Sequence, residues 1–297
     1  MTHHPRPFGR LLTAMVTPFT PDGSLDLEGA ARLAAYLVDE QRNDALVVSG
    51  TTGESPTTTD AEKDTLLRVV IDAVGDRATV VAGVGTNDTA HTIELAHAAE
   101  KAGAHGLLVV TPYYNKPPQA GVERHFRTVA DAVGLPIMVY DIPHRAGTAI
   151  ATETMCRIAE HERIVAVKDA KGDLVASSWV LRRTDLAYYS GDDAATLPLL
   201  SIGGVGLVGT SSHFTGVLAK ELIEAYERGD TVTALARHRQ ALPLFTGIFR
   251  SPGTILVKAG LNALGLPAGP VRSPLVDGSD EELIQLRQDA AAAGIVL

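Results

Sequence analysis

The chain has 297 residues, of which 45% are hydrophobic and 21% are charged, which is ordinary for a globular protein. Its 26 Lys and Arg residues stand against 35 Asp and Glu residues, so the formal net charge is −9. This acidic balance, without a basic block, excludes a large nucleic-acid surface and an anionic-membrane surface. We therefore expect small-molecule chemistry, with no nucleic-acid and no membrane partner.

Cysteine usage and the N-terminus predict a reducing, cytoplasmic environment. Cys156 is the only cysteine, so neither an intrachain disulfide nor a multi-cysteine metal site can form. The N-terminal segment lacks the apolar region of a signal peptide, since LLTAMV is followed by polar Thr17. The longest uncharged run, 194–219, contains several glycines and Pro198 and is too polar for a membrane-spanning helix.

Short β-branched or apolar runs recur along the chain, and each is followed by turn residues and a segment with helical periodicity. The predicted strands are 11–17, 45–49, 79–83, 107–111, 137–140, 164–168, 186–190 and 206–210. Their starts lie about 20 to 35 residues apart, which is the length of one βα unit. Near-continuous apolar strands joined by helices predict a parallel sheet that is buried on both faces.

The helix signals complete a (β/α)8 pattern. Asp26, Thr59 with Glu62, and Asp88 mark helix starts, and Gly103 marks a helix end. The predicted last barrel helix is 218–229, and three further amphipathic helices follow at 234–249, 254–265 and 281–294. We therefore predict an α/β fold, a (β/α)8 TIM barrel over 1–229 with a C-terminal three-helix extension over 230–297.

Polar residues follow the predicted strands, where the loops of a (β/α)8 barrel build the active site. Lys168 ends an apolar run, and a pocket that desolvates its ammonium would favour the neutral amine that forms a Schiff base with a carbonyl substrate. The alternative is a strand-end lysine whose ammonium reaches water. Lys258 also follows an apolar run, but we expect it on a helix face because Ser251 and Pro252 precede a helical pattern.

Neighbouring strand ends supply candidate partners for Lys168. Tyr140 can exchange protons with a Schiff base, or be a rim aromatic with a satisfied hydroxyl. Arg145 can bind a carboxylate through its planar guanidinium, or be a solvated surface charge. The segment GTTGES, 50–55, can hold a small carboxylate with hydroxyls and amides, or be a turn before a helix.

Two other kinds of site are not supported by the sequence. Gly204, Gly206 and Gly209 match a dinucleotide fingerprint by letters, but they precede and run through a predicted strand instead of opening a helix. The histidines are scattered and no H-E-x-x-H motif occurs, which disfavours a zinc-dependent aldolase. We expect no metal site.

Five segments in order resemble the 4-hydroxy-tetrahydrodipicolinate synthase family, within the dihydrodipicolinate synthase/N-acetylneuraminate lyase superfamily. These segments are GTTGES (50–55), VTPYYNKP (110–117), YDIPHRAG (140–147), VKDAKGD (167–173) and SGDD (190–193). The resemblance covers essentially the whole chain. It implies a Schiff-base lyase that condenses pyruvate with L-aspartate 4-semialdehyde in lysine and diaminopimelate biosynthesis, without a cofactor, as a homotetramer built from tight dimers.

The resemblance also implies roles for particular residues. Lys168 would form the enamine with pyruvate and Tyr140 would shuttle protons for it, while Thr51 and Tyr114 would complete the proton relay, with Tyr114 supplied by a neighbouring subunit. The implied substrate-binding residues are Thr52, Arg145, Gly191 and the main chain near Val208.

Departures from the family pattern keep the second substrate open. Asp141 stands where many members have Asn, and His144 and Ala146 flank Arg145 where Gly or Ser and Thr are common. The alternatives are a related pyruvate aldolase, such as N-acetylneuraminate lyase or a 2-keto-3-deoxy sugar-acid aldolase, and a non-catalytic binding barrel. Arg145 disfavours the sugar-acid enzymes, because those sites bind a polyhydroxylated chain.

The regulatory positions of the family differ as well. Lysine-inhibited members use a glutamate and histidines at a dimer interface, and the corresponding positions here are His91 for the glutamate and Asp60 and Lys63 for the histidines. Ser55, Asn87 and Tyr113 match those members. These differences from the lysine-inhibited members therefore predict weak or no inhibition by L-lysine.

Overall fold

Eight short strands alternate with helices along most of the chain. A computed structural model describes residues 6–297; the first five residues, part of the segment predicted to carry no signal peptide, lie outside that range. The strands are β1 (Leu11–Ala14), β2 (Ala45–Val48), β3 (Thr79–Gly83), β4 (Gly106–Val110), β5 (Ile137–Asp141), β6 (Ile164–Asp169), β7 (Ala187–Ser190) and β8 (Gly206–Gly209). Each of the eight corresponds to a predicted strand.

The strands form a closed parallel barrel. They pair in chain order, and β8 returns to β1, so that no strand edge is left open. The predicted (β/α)8 TIM barrel is thereby confirmed. Because all strands run in the same direction, their C-terminal ends and the loops that follow them lie at one end of the barrel.

Helices surround the barrel and continue beyond it. The helices are α1 (Leu27–Ala35), α2 (Asp60–Val74), α3 (Thr89–Ala102), α4 (Gln119–Ala132), α5 (Pro143–Ala146), α6 (Thr152–Ile158), α7 (Leu174–Arg183), α8 (Thr196–Ser201), α9 (Ser212–Glu227), α10 (Thr231–Gly247), α11 (Gly253–Ala263) and α12 (Asp280–Ala292). None of the helices in the described range is long and apolar enough to cross a membrane.

The predicted helix starts are confirmed by their capping bonds. Thr59 and Glu62 form a capping box at the start of α2, and the Asp26 and Asp88 side chains accept backbone hydrogen bonds at α1 and α3. Gly103 ends α3 with a left-handed φ of 90°. These local bonds explain why sequence patterns locate the helix starts well.

The predicted start of the last barrel helix is wrong, because α9 begins at Ser212 and not at residue 218. Its first turn consists of buried residues from Ser212 to Gly216. A helical segment that is buried all round has no polar face, so it shows no amphipathic periodicity.

Side chains from alternate strand positions fill the barrel interior, and a second apolar layer lies between the barrel and the helices. Phe8, which precedes β1, packs in the interior cluster with Tyr189 of β7. The Tyr189 hydroxyl donates a hydrogen bond to the carbonyl of Gly9 at 2.9 Å. The N-terminal end of the barrel is therefore filled, which leaves the C-terminal end for a cavity.

The glycines of the apparent dinucleotide fingerprint serve the closure of the barrel. Gly206 begins β8, and a Cβ atom added to it would lie 1.9 Å from the carbonyl oxygen of Arg10. The amide of Leu207 donates to that same oxygen at 2.8 Å, so β8 must approach the chain before β1 closely. The fingerprint is therefore structural, because Gly206 and Gly209 lie within β8 and not in the turn between that strand and α9.

Of the three C-terminal helices, α10 packs against α9, and α10 and α11 supply part of the cavity wall, while α12 packs on α10 and α11. Their presence confirms the predicted helical extension. The division at residues 229 and 230 stays a prediction; it falls in the turn between the end of α9 at Glu227 and the start of α10 at Thr231.

A buried ion pair joins α11 to the loop after β2. Lys258 lies on the predicted helix, but its side chain is buried, and its ammonium is 2.7 Å from a Glu54 carboxylate oxygen. The same ammonium donates to the carbonyl of Pro270 at 2.7 Å and lies over the Phe19 ring. The amide of Arg272 donates to the other Glu54 oxygen at 2.8 Å. The C-terminal extension thus holds the loop that contains residues 50–55.

We expect Lys258→Met to lower the free energy of unfolding by about 3–5 kcal/mol, because it leaves the Glu54 carboxylate buried without its partner. The double variant Glu54→Gln/Lys258→Met should regain most of this loss, since no uncompensated charge remains. Urea denaturation measures both effects. As a control, Arg183→Met breaks an exposed pair with Glu153 and should cost less than about 1 kcal/mol. Equal losses in all three variants would contradict this account.

Candidate active site

A cavity of about 640 Å³ opens at the C-terminal ends of the strands. Its wall combines strand-end residues with the segment between α10 and α11. Six of the eight residues predicted for the site line it: Thr51, Thr52, Tyr140, Arg145, Lys168 and Gly191. Barrel closure brings these residues together although they are far apart in the sequence.

Lys168 lies in the penultimate position of β6 and is 5% exposed. It is in register with Tyr140 of β5, and its Nζ atom lies 4.3 Å from the centroid of the Tyr140 ring. Burial lowers the pKa of the Lys168 ammonium to about 8, with Asp193 opposing the shift and Arg145 adding to it. At pH 7 about a tenth of the molecules therefore carry a neutral amine, far more than for a solvated lysine.

The pKa of Tyr140 shifts in the opposite direction from that of Lys168. Burial raises the pKa of its phenol to about 12, while Arg145 and a hydrogen bond with Thr51 oppose the shift. The hydroxyl therefore stays protonated at neutral pH, able both to donate and to accept a hydrogen bond. A neutral phenol thus lies against an amine that is readily deprotonated.

Asp193 is a further charged group near the amine, and the sequence reasoning did not single it out. It lies at the start of a short 3-10 helix after β7 and is fully buried. Its carboxylate accepts backbone hydrogen bonds from Thr210 at 3.2 Å and from Ser211 at 2.9 Å, which fixes the turn after β8. Burial raises the pKa of Asp193, and its negative charge raises that of Lys168.

Asp193 belongs to the segment SGDD, but the sequence does not show which of its two aspartates is buried. Asp192 is exposed, and its side chain accepts the amide of Ala194 at 3.0 Å. The orientation follows from the turn at Ser190, whose hydroxyl bonds to the carbonyl of Asp192. The geometry of this turn therefore determines that Asp192 is exposed and Asp193 is buried.

Thr52 is held from two sides. Its hydroxyl lies 3.3 Å from that of Thr210, which follows β8, and its carbonyl accepts a hydrogen bond from the Thr254 hydroxyl at 3.1 Å. Thr254 belongs to α11 and also lines the cavity, as does Thr210. The sequence analysis did not identify either residue, because neither lies in one of the five segments on which the family resemblance rests.

Two predicted site residues do not line this cavity. Val208 is fully buried in β8, and its side chain packs in the interior of the barrel. Tyr114 is 88% exposed and has a left-handed φ of 72°. It lies with Tyr113 along a second cavity of about 320 Å³, which shares Thr51, Tyr140 and Arg145 with the first.

Arg145 lies on the short helix α5, in the loop after β5, and lines both cavities. Its side chain is exposed, and its positive charge acts on both Lys168 and Tyr140. The cavity therefore combines a buried amine at its base with a guanidinium at its mouth. Within residues 6–297 no three His, Cys, Asp or Glu side chains are grouped so that they could hold a metal ion.

Comparison with known proteins agrees with this geometry. Residues 7–293 match the model of the dihydrodipicolinate synthetase family. The 4-hydroxy-tetrahydrodipicolinate synthase of Acidothermus cellulolyticus is 72% identical over 98% of this chain and 94% of its own length. The 4-hydroxy-tetrahydrodipicolinate synthase 2 of Streptomyces coelicolor is 60% identical over 98% of this chain and 97% of its own length.

Solved structures show the same similarity. The enzyme of Cyanidioschyzon merolae, solved with lysine bound, has a TM-score of 0.96 at 44% identity and covers 98% of this chain and 100% of that one. The Aquifex aeolicus enzyme has a TM-score of 0.94 at 35% identity, covering 98% and 99%. The resemblance predicted from the five sequence segments is confirmed, and the chain belongs to the dihydrodipicolinate synthetase family.

Proposed function

We propose that this protein condenses pyruvate with L-aspartate 4-semialdehyde to give 4-hydroxy-tetrahydrodipicolinate, a step of lysine and diaminopimelate biosynthesis. The observation that carries the proposal is the buried Lys168 amine, packed against Tyr140 at the base of the cavity. The names of two similar relatives support the same reaction. A cytoplasmic location agrees with this biosynthetic role.

The reaction begins when the neutral Lys168 amine attacks the keto carbon of pyruvate. Loss of water gives an imine, and loss of a methyl proton converts the imine into an enamine. The enamine carbon adds to the aldehyde carbon of the second substrate, forming the carbon–carbon bond. The amino group of that substrate then attacks the imine carbon and displaces the lysine amine, which closes the ring and regenerates the enzyme. The imine itself accepts the electrons, so the chemistry needs no cofactor.

Proton transfers in this sequence are assigned to Tyr140, Thr51 and Tyr114. The Tyr140 ring lies 4.3 Å from the amine, and its protonated phenol suits the loss of water from the first adduct. The Thr51 side chain opposes the raised pKa of Tyr140, and both residues also line the second cavity. Tyr114 acts from a neighbouring subunit, which its exposed side chain supports.

The substrate carboxylates have separate binding groups in this proposal. Thr52, with the main chain near Gly191 and Val208, binds the pyruvate end, next to Lys168. Arg145 binds the carboxylate of the second substrate at the mouth of the cavity. This guanidinium favours an anionic semialdehyde over the polyhydroxylated substrates of the sugar-acid aldolases.

The assembly that the proposal requires is a homotetramer built from tight dimers. A large tyrosine side chain that is almost fully exposed, beside a cavity that shares residues with the active site, supports a dimer contact there. Each subunit would then contribute its Tyr114 to the site of the other subunit, as twofold symmetry demands.

We expect borohydride with pyruvate to leave a reduced adduct on the Lys168 peptide, detected by peptide mass spectrometry. The rate of imine formation should rise as the pH rises towards about 8, because the amine with this lowered pKa loses its proton there. Lys168→Arg should abolish both trapping and turnover without unfolding, since a guanidinium remains charged. Lys258 provides an internal control, and labelling of its peptide in place of Lys168 would refute the assignment.

Mixing Tyr114→Phe chains with Lys168→Ala chains should restore activity. In a mixed dimer one site combines an intact Lys168 with an intact Tyr114 from the other chain. Random exchange should therefore recover about a quarter of the wild-type activity. The measurement is turnover after subunit exchange that is verified by mass spectrometry. Verified exchange without recovery would mean that Tyr114 acts within its own chain.

L-lysine should inhibit this enzyme weakly or not at all. His91 replaces the acidic partner of the lysine ammonium, and the neighbouring Asp60 carboxylate already lies 2.9 Å from the His91 ring nitrogen. The loss of one charge-assisted hydrogen bond corresponds to roughly 10–100-fold in affinity. Titration of turnover with L-lysine measures this, with His91→Glu as the variant that should gain sensitivity. Strong saturable inhibition of the wild type would contradict the prediction.

A further inference from the structure

A buried ion pair lies between the ends of β5 and β6, outside the cavity. Asp141, the last residue of β5, is 2% exposed, and its carboxylate lies 3.6 Å from the ammonium of Lys171. Lys171 follows β6 by two residues. Neither side chain lines the active-site cavity or its neighbour, so the proposed reaction does not use the pair directly.

Both members of the pair bind the backbone of Ile150. The Asp141 carboxylate accepts a hydrogen bond from the Ile150 amide at 3.2 Å. The Lys171 ammonium donates to the Ile150 carbonyl at 3.4 Å. Ile150 is itself buried, with 1% of its surface exposed. One residue is therefore held through its donor, its acceptor and its side chain.

The segment held in this way is the loop that contains Arg145. The loop starts immediately after Asp141 and returns to the Asp141 side chain at Ile150, so a single residue anchors both of its ends. Within the loop, α5 is capped by Gly147, whose amide donates to the carbonyl of Pro143 at 2.8 Å. The amide of Arg145 donates to the carbonyl of Ile142 at 3.1 Å, so Arg145 lies in a compact turn that follows its anchor directly.

We propose that Asp141 and Lys171 are positioning residues for Arg145 and that their ion pair sets the affinity of the enzyme for its second substrate. This inference rests on the proposed function, in which Arg145 binds the carboxylate of L-aspartate 4-semialdehyde. Lys168 and Tyr140 take their positions from the paired strands, so the ion pair influences imine formation with pyruvate only through the charge of Arg145, which lowers the pKa of Lys168.

The surroundings of Asp141 make this positioning sensitive to pH. Burial and the Asp169 carboxylate raise the pKa of Asp141 to about 6, against the effect of Lys171 and the Ile150 amide. The Asp169 carboxylate accepts hydrogen bonds from the amide of Lys171 at 2.9 Å and from the hydroxyl of Ser177 on α7. Tyr188 of β7 stays neutral, because burial raises the pKa of its phenol. Above a pH of about 6 Asp141 is charged and the pair is formed, and below it the pair is lost.

The test measures two steps separately, each at several pH values between about 5 and 8. The first is borohydride trapping of Lys168 with pyruvate alone, and the second is the KM for L-aspartate 4-semialdehyde. Asp141→Asn keeps the shape and the acceptor for Ile150 but removes the charge, and Lys171→Met removes the ammonium. Lys171→Arg restores a cation. Ser177→Ala is the matched control, because it removes a neighbouring buried hydrogen bond that does not touch Ile150.

We expect the KM of wild type for the semialdehyde to rise as the pH falls through about 6, because Asp141 takes up its proton there. Asp141→Asn should show a KM about tenfold higher at pH 8 without this inflection. Lys171→Met should show a similar rise with the inflection moved to higher pH, because the ammonium that lowers the pKa of Asp141 is gone. Trapping should change far less than the KM in both variants. Lys171→Arg should recover most of the wild-type KM and its pH dependence, and Ser177→Ala should keep the wild-type KM at pH 8, where Asp141 is charged.

Three results would overturn the inference. An unchanged KM in Asp141→Asn would show that the pair does not position Arg145. Retention of the inflection in that variant would assign the pH dependence to another group. An equal loss of trapping and condensation, with a lowered urea midpoint, would mean that the pair only stabilises the fold. If wild type itself traps pyruvate but does not condense the semialdehyde, the proposed function is wrong and the inference fails with it.

Discussion

The burial of one amine at the end of β6 determines what the rest of the cavity must supply. An ammonium at Lys168 is desolvated by the barrel wall and by the ring of Tyr140, so its pKa falls. The buried carboxylate of Asp193 limits this fall, and it is itself held by backbone amides after β8. Closure of the barrel is what brings β5, β6, β7 and β8 to this one point. The nucleophile is therefore a property of the whole barrel.

The C-terminal helices complete the site from outside the barrel. The Glu54–Lys258 pair and the bond from Thr254 to Thr52 both join α11 to the loop after β2. That loop has no strand partner, and its residue Glu54 has a left-handed φ of 57°. A strained conformation of this kind persists only where the surroundings hold it. The extension therefore acts as the outer support of the pocket that is proposed to bind pyruvate.

Sequence patterns predicted the parts of this protein that depend on local physics. Strands and capped helix starts follow from apolar runs and from residues such as Thr59, and Lys168 follows from a charged residue at the end of an apolar run. What they could not predict depends on contacts between distant segments. The inward turn of Asp193 beside exposed Asp192 is one case, and the burial of Lys258 against Glu54 is another. The residue types are visible in the sequence, but their partners are set by the closed barrel.

The two halves of the cavity differ in how firmly they are built. Lys168, Tyr140 and Thr210 lie on or directly after paired strands, so their positions follow from the backbone ladder. Arg145 lies on a four-residue helix in a loop, and its location depends on the contacts of Ile150 with Asp141 and Lys171. A rigid base suits one invariant covalent step, whereas a loop tuned by a few side chains can change its ligand without disturbing that step. Divergence of second-substrate preference among related barrels is therefore expected to begin at positions such as Asp141 and Lys171, outside the cavity, before it reaches the amine.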